Sequence, residues 1–194
     1  MNPKNFAKKF FGHLRTVNQH RLEVMKLCFK CGLYWQGLTH DLSKYSPVEF
    51  LNGVKYYTGK KSPHIGERAD KGYSDAWMHH KGRNKHHMDY WTDIDSQTGL
   101  ADTPIKMPWK YVVEMFCDRV AASKIYAKNA GIECKPDAAY NYYMNSKREN
   151  TSHPETAAEI EYLLKYLADN GEEAAFKKIK EMTEEKRKNG EEGI

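Results

Sequence analysis

The sequence predicts an all-α protein, and three observations support this fold class. Apolar residues such as Phe6, Phe10 and Leu14 recur every three to four positions along much of the chain, which is the period of one helix face. Helix start signals such as Ser46–Glu49 and a helix-ending glycine such as Gly131 bracket these stretches. No segment alternates apolar and polar residues as a half-buried strand does.

The N-terminal part is predicted to hold four helical segments. One long helix, or two abutting ones, runs up to Gly32, and a second helix covers Leu33–Lys44. The capping box at Ser46–Glu49, with proline in the first turn, starts a third helix. The glycines, lysines and proline of Thr58–Gly72 predict a surface loop, and Ser74–Lys81 is predicted to be a fourth helix.

The C-terminal part begins with a predicted loop over the polar stretch Thr92–Pro108. The strongest periodic pattern predicts a helix over Trp109–Asn129, followed by a shorter helix over Pro136–Lys147. A second capping box, Ser152–Glu155, starts another helix, which the glycine at Gly171 is expected to end.

The chain length of 194 residues predicts one domain of ordinary size with a short appendage. Residues 1–170 are expected to form a single helical domain. Residues 171–194 are expected to form a charged amphipathic helix, with Phe176 and Ile179 on its apolar face, that ends in a Lys/Glu tail.

Composition and charge exclude several classes of protein. Hydrophobic residues make up 40% of the chain, which excludes wholesale disorder. The net charge of +5 is only mildly basic and is no nucleic-acid signature. No run approaches the roughly 18 to 20 apolar residues that span a bilayer, and the N-terminus has no apolar signal core. We therefore expect a cytoplasmic protein without a membrane partner.

The four cysteines are expected to be reduced thiols rather than a disulfide framework. Cys28 and Cys31 form a CxxC pair, but no second such pair follows. Their spacing puts both on the helix face of Val24 and Leu27. This favours structural packing over zinc or redox chemistry.

Histidines and aspartates are the residues that indicate chemistry. His40 and Asp41 are adjacent, and on a helix their side chains can converge on one ion. Asp118 lies mid-helix on a predicted apolar face, where a carboxylate is costly unless it is paired or metal-bound. The further candidate ligands that precede or follow this pair are His20, His79, His80, His86 and His87.

The order of these residues resembles the HD-domain superfamily of metal-dependent phosphohydrolases. In that superfamily an H…HD…(H…H)…D series from separate helices binds one or two divalent metals. The segment His40–Lys44 is similar to the HD-x-x-K version, and Cys117–Ala121 looks like the final aspartate motif. The resemblance implies an HD-like helical bundle with additional C-terminal helices, in which His20, His40, Asp41, His80, His86, His87 and Asp118 bind metal.

Two longer motifs resemble, more narrowly, an uncharacterised family of bacterial and phage proteins. The segment His40–Phe50 carries HDLSKxxPxEF, and His80–Trp91 carries HxxRNxHHxxxW. The resemblance spans about residues 13 to 127. This narrower resemblance implies no function beyond that of the HD-domain superfamily.

The chain departs from the superfamily pattern in its spacings. Only 20 residues separate His20 from His40, so His13, at 27, is a rival first ligand. The narrower resemblance aligns His20, and this residue is preferred. The gap of six residues between His80 and His86 is also short, although a turn at Gly82 can bring both to one site.

The ligand types indicate which metals and which reaction to expect. Imidazoles and carboxylates without thiolate favour Fe, Mn, Co, Ni or Zn over a sulfur-bound structural zinc. With five or six ligands, two ions can be held with Asp41 bridging, so that water can attack a phosphoester. The expected substrate is a small phosphorylated metabolite or nucleotide. The candidate contacts to its phosphate are Lys44, Arg83 and Asn84. Lys44 lies on the same predicted helix face as His40 and Asp41.

Several alternatives stay open at the level of sequence. Either member of His79/His80 and of His86/His87 can be the ligand, and Glu49 or Asp89 can support it. The HD fold also includes di-iron oxygenases that cleave C–C or C–P bonds. A third hypothesis is a non-catalytic module that binds nucleic acid or protein through a basic loop made of Lys60, Lys61, Arg68 and Lys71.

Overall fold

The computed structural model of the protein describes residues 2–146 and 152–190. Within these ranges the fold is all-α, as predicted, with eight α-helices, two short 3₁₀ helices and one two-stranded hairpin. No helix in this part of the chain combines the length and the apolar composition needed to cross a membrane.

The first helix, α1, is a single helix over Pro3–Lys30. It begins at Asn2, whose side chain accepts a hydrogen bond from the backbone N–H of Lys4, and Pro3 occupies the first turn. Its buried residues recur every three to four positions and form one face: His13, Val17, His20, Val24, Leu27 and Cys28. Two candidate histidines therefore lie on the face that packs against the rest of the protein.

The second helix, α2, covers only Tyr34–Thr39, and a 3₁₀ helix over Leu42–Tyr45 follows. The prediction of one helix across Leu33–Lys44 is therefore wrong at His40 and Asp41. Asp41 adopts a left-handed backbone conformation with φ 54° and ψ 27°, which an α-helix cannot contain. The cause is tertiary, since the Arg21 guanidinium on α1 donates hydrogen bonds to the carbonyls of Leu38 (3.1 Å) and His40 (2.7 Å).

Helix α3 covers Pro47–Tyr56 and begins with the predicted capping box, in which the Ser46 side chain accepts a hydrogen bond from the N–H of Glu49. Helix α4 covers Pro63–Lys71, so the prediction of a loop over Thr58–Gly72 is wrong for this stretch.

The missed helix α4 is stabilised by a contact with a residue just beyond its C-terminal end. The buried carboxylate of Glu67 accepts a hydrogen bond from the Ser74 hydroxyl at 2.6 Å and lies 3.2 Å from the Lys71 amine. Ser74 also caps helix α5, which covers Asp75–Lys81 as predicted. Gly72, with φ 83°, ends α4 in the left-handed conformation.

The connection between α5 and the next helix is mostly irregular. It contains a 3₁₀ helix, Met88–Tyr90, and two strands, β1 (Thr92–Asp93) and β2 (Thr103–Pro104), which pair antiparallel. The predicted loop over Thr92–Pro108 therefore carries a minimal hairpin that sequence alternation did not indicate.

Helix α6, Trp109–Ala130, closely matches the predicted helix and ends at Gly131. Helix α7, Ala138–Ser146, lies within the predicted Pro136–Lys147, although Lys147 falls outside the described residues.

Helix α8 covers Pro154–Lys188, and His153 rather than Ser152 is its capping residue. Its backbone departs from helical geometry at Gly171, with φ 78° and ψ 173°. The expected end of a helix at this glycine is thus a kink between two helical segments, and residues 191–194 lie outside the described part.

The hydrophobic core joins α1, α6 and α8. Phe116 of α6 is fully buried, and its ring centroid lies 5.6 Å from that of Phe176 on the second segment of α8. Ile179 is also buried, so residues beyond Gly171 contribute to the same core. The thiols of Cys28, Cys31 and Cys117 are free and buried in this core, in agreement with structural packing.

Candidate metal centre

The histidines and aspartates of the predicted site come from five different parts of the fold. His20 lies on α1, the His40-Asp41 pair follows α2, His80 lies on α5 and Asp118 lies on α6. His86 and His87 lie in the connection after α5. The structure brings all seven of these residues together into two groups that share Asp41.

The first group consists of His20, His40, Asp41 and Asp118, whose ligand atoms all lie within 4.8 Å of one another. Nε2 of His20 is 2.9 Å from Oδ1 of Asp118. Nε2 of His40 is 3.3 Å from Oδ2 of Asp41 and 3.7 Å from Oδ1 of Asp118. Two imidazole nitrogens and two carboxylate oxygens therefore face a common point.

The second group consists of Asp41, His80, His86 and His87, within the same 4.8 Å limit. It uses the other oxygen of Asp41, since Oδ1 lies 3.3 Å from Nε2 of His80 and 3.5 Å from Nε2 of His86. The ring centroid of His87 is 4.2 Å from that of His86 and 4.8 Å from that of His80. Asp41 thus presents one carboxylate oxygen to each group.

The polar atoms at the centre of both groups are buried, and although Nε2 of His20 lies 2.9 Å from Oδ1 of Asp118, none of their contacts within the described residues has the geometry of a hydrogen bond. They are Nε2 of His20, His40, His86 and His87 together with Oδ1 of Asp41. A buried polar atom without a partner costs roughly 1–3 kcal/mol, and such atoms are rare in folded proteins. Five such atoms, divided between the two groups, fit a cation in each group that would satisfy them.

The two aspartates are held in the charged form that metal binding requires. Burial opposes ionisation of Asp41, but the charges of His40 and Lys44 hold its pKa well below the usual value. Burial acts in the same direction on Asp118, where the neighbouring imidazoles of His20 and His40 outweigh it and hold the pKa well below the usual value. Both side chains are therefore carboxylates at neutral pH.

The surroundings shift the pKa values of three of these histidines in different directions. Burial, and then the charge of Lys44, lowers the pKa of His20, while burial and the charges of His86 and His80 hold the pKa of His87 well below its usual value. For His40 the effect of burial is outweighed by Asp41, Asp118 and Glu114, which raise its pKa well above the usual value. A metal at this position would compete with the proton on His40.

Two further carboxylates lie behind the ligands. Oε1 of Glu114 is 2.9 Å from Nδ1 of His40 and 3.1 Å from Nδ1 of His86. Oε2 of Glu49 is 2.7 Å from Nδ1 of His80. Metal-bound imidazoles commonly donate their second N–H to such a carboxylate. Of the two support residues that the sequence suggested, Glu49 takes this place, whereas Asp89 is exposed.

Glu114 is the residue that the sequence analysis missed. It precedes Asp118 by four residues on α6 and is 5% exposed. This i, i+4 spacing puts both carboxylates on one helix face. The available signal was a second acidic residue on a predicted buried face, the same signal that drew attention to Asp118.

Lys44 lies at the centre. The prediction that it shares a helix with His40 and Asp41 is wrong. It belongs to the 3₁₀ helix after Asp41, and its Nζ is 2.6 Å from Oδ2 of Asp41. Burial lowers the pKa of Lys44, but the charges of Asp41 and Asp118 outweigh it and raise that pKa. The side chain is 26% exposed, so the ammonium stays reachable from solvent while it pairs with the shared aspartate.

Arg83 and Asn84, the two other predicted substrate contacts, are placed differently. Arg83 is exposed, and its Nη1 donates a hydrogen bond to the carbonyl of His79 at 3.3 Å. Asn84 is buried, and its Nδ2 donates hydrogen bonds to the Ser43 hydroxyl at 2.8 Å and the His80 carbonyl at 2.8 Å. Neither belongs to the two ligand groups, and Asn84 supports the backbone around His80.

Arg119 is a half-buried cation next to the ligand Asp118. Its Nε is buried and has no hydrogen-bond partner among the described residues, and its guanidinium lies over the ring of Tyr143, 5.2 Å from the centroid. Burial lowers the pKa of Arg119, and the charge of Asp118 acts in the opposite direction. This guanidinium therefore lies within electrostatic range of a ligand carboxylate.

The rival and alternative histidines lie outside the two groups. The ring of His13 packs against Phe50 and Tyr57, at centroid distances of 5.2 and 5.9 Å. Nδ1 of His79 is 2.6 Å from Oε1 of Glu49. His20 rather than His13, and His80 rather than His79, therefore face the cluster, while both His86 and His87 do.

The comparison with known proteins gives one match. A family described as "Family of unknown function (DUF5662)" matches residues 9–166, which include every residue of both ligand groups. Neither a curated protein nor a solved structure matches the chain. Because the match covers well over half of the sequence, the chain belongs to this family of unknown function, DUF5662.

Proposed function

We propose that the protein is a metal-dependent phosphohydrolase that acts on a small phosphorylated metabolite or nucleotide. The single observation that carries the proposal is the pair of four-residue groups that share Asp41, with five of their ligand atoms buried and lacking hydrogen bonds. A shared carboxylate with one oxygen toward each group suits two cations held side by side.

The donor set limits the metal. Five imidazoles and two carboxylates, with no thiolate among them, form the two groups. This nitrogen-rich set favours Fe, Mn, Co, Ni or Zn, whereas Ca²⁺ and Mg²⁺ prefer oxygen ligands. We therefore propose one or two divalent transition-metal ions as the cofactor.

The chain's own residues divide the remaining work. Bound divalent ions supply Lewis acidity and lower the pKa of water, which is the chemistry that phosphoester hydrolysis needs. Lys44 provides a positive charge beside Asp41 that can hold a substrate phosphate. Arg119, whose guanidinium lies over the ring of Tyr143, adds a second positive charge near Asp118.

The sequential order of the ligands supports the same proposal. His20, the His40-Asp41 pair, His80 with His86, and Asp118 follow the order of the HD-domain superfamily. We propose on this ground that the protein is a member with an HD-like helical bundle. Because one fold hosts several chemistries, the proposed reaction rests on the ligand set rather than on the resemblance.

The test has two parts on the full chain. Elemental analysis of purified protein should find one or two transition-metal ions per chain. Phosphate release from a panel of phosphomonoesters and nucleotides should then require Mn²⁺, Co²⁺ or Fe²⁺ and disappear in Asp41→Ala. Glu159→Gln is a matched control, because Glu159 is a partly buried carboxylate on α8 outside the ligand groups.

Other outcomes would select another function. Iron content with O₂ consumption and no phosphate release would replace the proposal with a di-iron oxygenase. A chain that takes up none of these metals, and binds nucleic acid with a steep salt dependence, would be a binding module instead.

A further inference from the structure

Glu114 contacts a ligand of each group through a single oxygen atom. Its Oε1 lies 2.9 Å from Nδ1 of His40, in the first group, and 3.1 Å from Nδ1 of His86, in the second. The ring centroids of the two histidines are 4.4 Å apart. The two groups are therefore joined twice, through Asp41 between the ligand atoms and through Glu114 behind the rings.

The contact determines what each ring presents to a cation. Once a ring carries no proton on Nε2, donation of its Nδ1–H to a carboxylate leaves the Nε2 lone pair free for a cation. In the rings of both His40 and His86, Nε2 is the buried nitrogen that has no hydrogen-bond partner. A carboxylate at this position also makes the imidazole a better electron donor to a metal. Glu114 therefore sets the tautomer and the orientation of both rings.

The charge of Glu114 is maintained by the same contacts. Burial opposes ionisation of Glu114, but the contacts with His40 and His86 outweigh it, so that the pKa lies below the usual value. With 5% of the residue exposed, solvent cannot replace the carboxylate if it is removed.

Glu49 provides an internal comparison, because it supports only one group. Its Oε2 lies 2.7 Å from Nδ1 of His80, and its Oε1 lies 2.6 Å from Nδ1 of His79, which belongs to neither group. Loss of Glu49 should thus affect only the position that His80 helps to form.

We propose that Glu114 is a positioning residue shared by two cation positions, so that its loss weakens both, whereas loss of Glu49 weakens only one. The inference rests on the metal centre of the proposed function. It adds to that function the statement that binding at the two positions depends on one buried carboxylate.

The test is a calorimetric titration of the full, metal-depleted chain with Co²⁺. Wild-type protein should bind two ions. Glu114→Gln, which keeps the shape of the side chain and removes its charge, should weaken both binding steps about 10- to 100-fold, the usual range for loss of such a partner. Glu49→Gln should weaken one step by a similar factor, and the control Glu159→Gln should change neither.

The outcomes separate this inference from the proposed function. If the wild type binds two Co²⁺ ions and Glu114→Gln weakens only one step or none, the shared role is overturned while the metal centre stands. If the wild type binds no Co²⁺, both are overturned. Two-step binding without any phosphate release would count against the proposed reaction alone.

A second measurement avoids any dependence on the folding of variants. In ¹⁵N-edited imidazole spectra of the wild type loaded with Zn²⁺, His40 and His86 should both carry a proton on Nδ1 and bind through Nε2. A proton on Nε2 of either ring would overturn the proposal, since that ring would then not donate to Glu114.

Discussion

Under the proposed function, Lys44 is the residue in which metal binding and substrate binding can be separated. Its ammonium pairs with Asp41. Because the ammonium is positively charged and has no lone pair, it cannot be a ligand to a cation. It therefore acts on anions, either the shared carboxylate or a substrate phosphate.

Replacing Lys44 with methionine is expected to leave Co²⁺ affinity equal or higher and to lower kcat/KM for a phosphorylated substrate about 100-fold. Metal affinity does not fall because the positive charge that opposes a cation at Asp41 is removed. Calorimetry and steady-state kinetics on the same preparation measure the two effects. Lys124→Met is the control, since Lys124 pairs with Glu23 and Glu172 away from the centre; a wild-type kcat/KM in Lys44→Met would contradict the role.

His13 predicts a specific dependence of stability on pH. Burial, and then the charge of Lys44, lowers the pKa of His13 from 6.5 to about 4. The unfolded chain takes up this proton near pH 6.5 and the folded chain only near pH 4, so acid favours the unfolded state in between. The stability that neutral His13 contributes is therefore complete above pH 6.5, and it is lost as the pH falls towards 4.

From this group alone, the free energy of unfolding should fall by about 3 kcal/mol between pH 7 and pH 4. Urea unfolding at a series of pH values measures it, with His13→Gln as the comparison because glutamine does not titrate. Between pH 7 and pH 4, the free energy of unfolding of His13→Gln should fall by about 3 kcal/mol less than that of the wild type. Equal pH slopes for the two proteins would show that His13 does not contribute.

At the scale of elements, α1 and α3 approach each other at a glycine. A Cβ atom added at Gly53 on α3 would lie 2.1 Å from Nε2 of His13 on α1. The absence of a side chain at position 53 therefore allows the two helices to pack with the His13 ring between them.

Gly53→Ala is consequently expected to destabilise the protein, against the usual gain of about 1 kcal/mol for this exchange within a helix. The forced overlap should cost about 1–3 kcal/mol of unfolding free energy, measured by urea denaturation. In a His13→Ala background the same exchange should cost much less, because the clashing ring is gone. Additive effects of the two substitutions would rule out this explanation.

At the scale of the whole molecule, the candidate metal centre links α1, α5 and α6, together with the connections after α2 and α5. A cation bound there stabilises the folded chain only, because the unfolded chain does not bring these residues together. Metal binding and global stability are therefore coupled.

Removing the metal with a chelator is expected to lower Tm. At a free metal concentration of 100 times Kd, one ion contributes about 2.7 kcal/mol, which corresponds to roughly 5–10 °C for a chain of this size. Calorimetric melting with and without Co²⁺ measures the change. Asp41→Ala should show no such shift, and an unchanged Tm in the wild type would argue against a metal that binds at this centre.

The second segment of α8 belongs to the folding unit as well, because Phe176 and Ile179 lie in the common core. Each buried apolar side chain of this size stabilises the fold by about 1.5–3 kcal/mol, against a typical total of 5–15 kcal/mol. A chain that ends at Asn170 should therefore lose cooperative thermal unfolding, whereas one that ends at Lys188 should keep it. A cooperative transition in the shorter chain would show that the core does not need this segment.

The parts of the fold that the sequence alone predicted are those determined by local interactions. The helix over α6, the Ser46 and Ser74 caps and the departure from helical geometry at Gly171 depend on residues within a few positions of one another. Local periodicity and capping chemistry are sufficient to specify such features. Helix α4 was missed because its Glu67 is a carboxylate buried against Ser74, which lies beyond the end of the helix, and helical periodicity does not indicate such a contact.

The candidate site shows the same division. The resemblance in the order of the histidines and aspartates implied the seven side chains that the structure brings together, and the cost of a carboxylate on an apolar helix face singled out Asp118. The left-handed backbone at Asp41, the choice of His20 over His13 and the place of Glu114 behind two rings were decided only by the tertiary structure. These features depend on contacts between residues that are distant in sequence, and helical periodicity carries no information about which residues will meet.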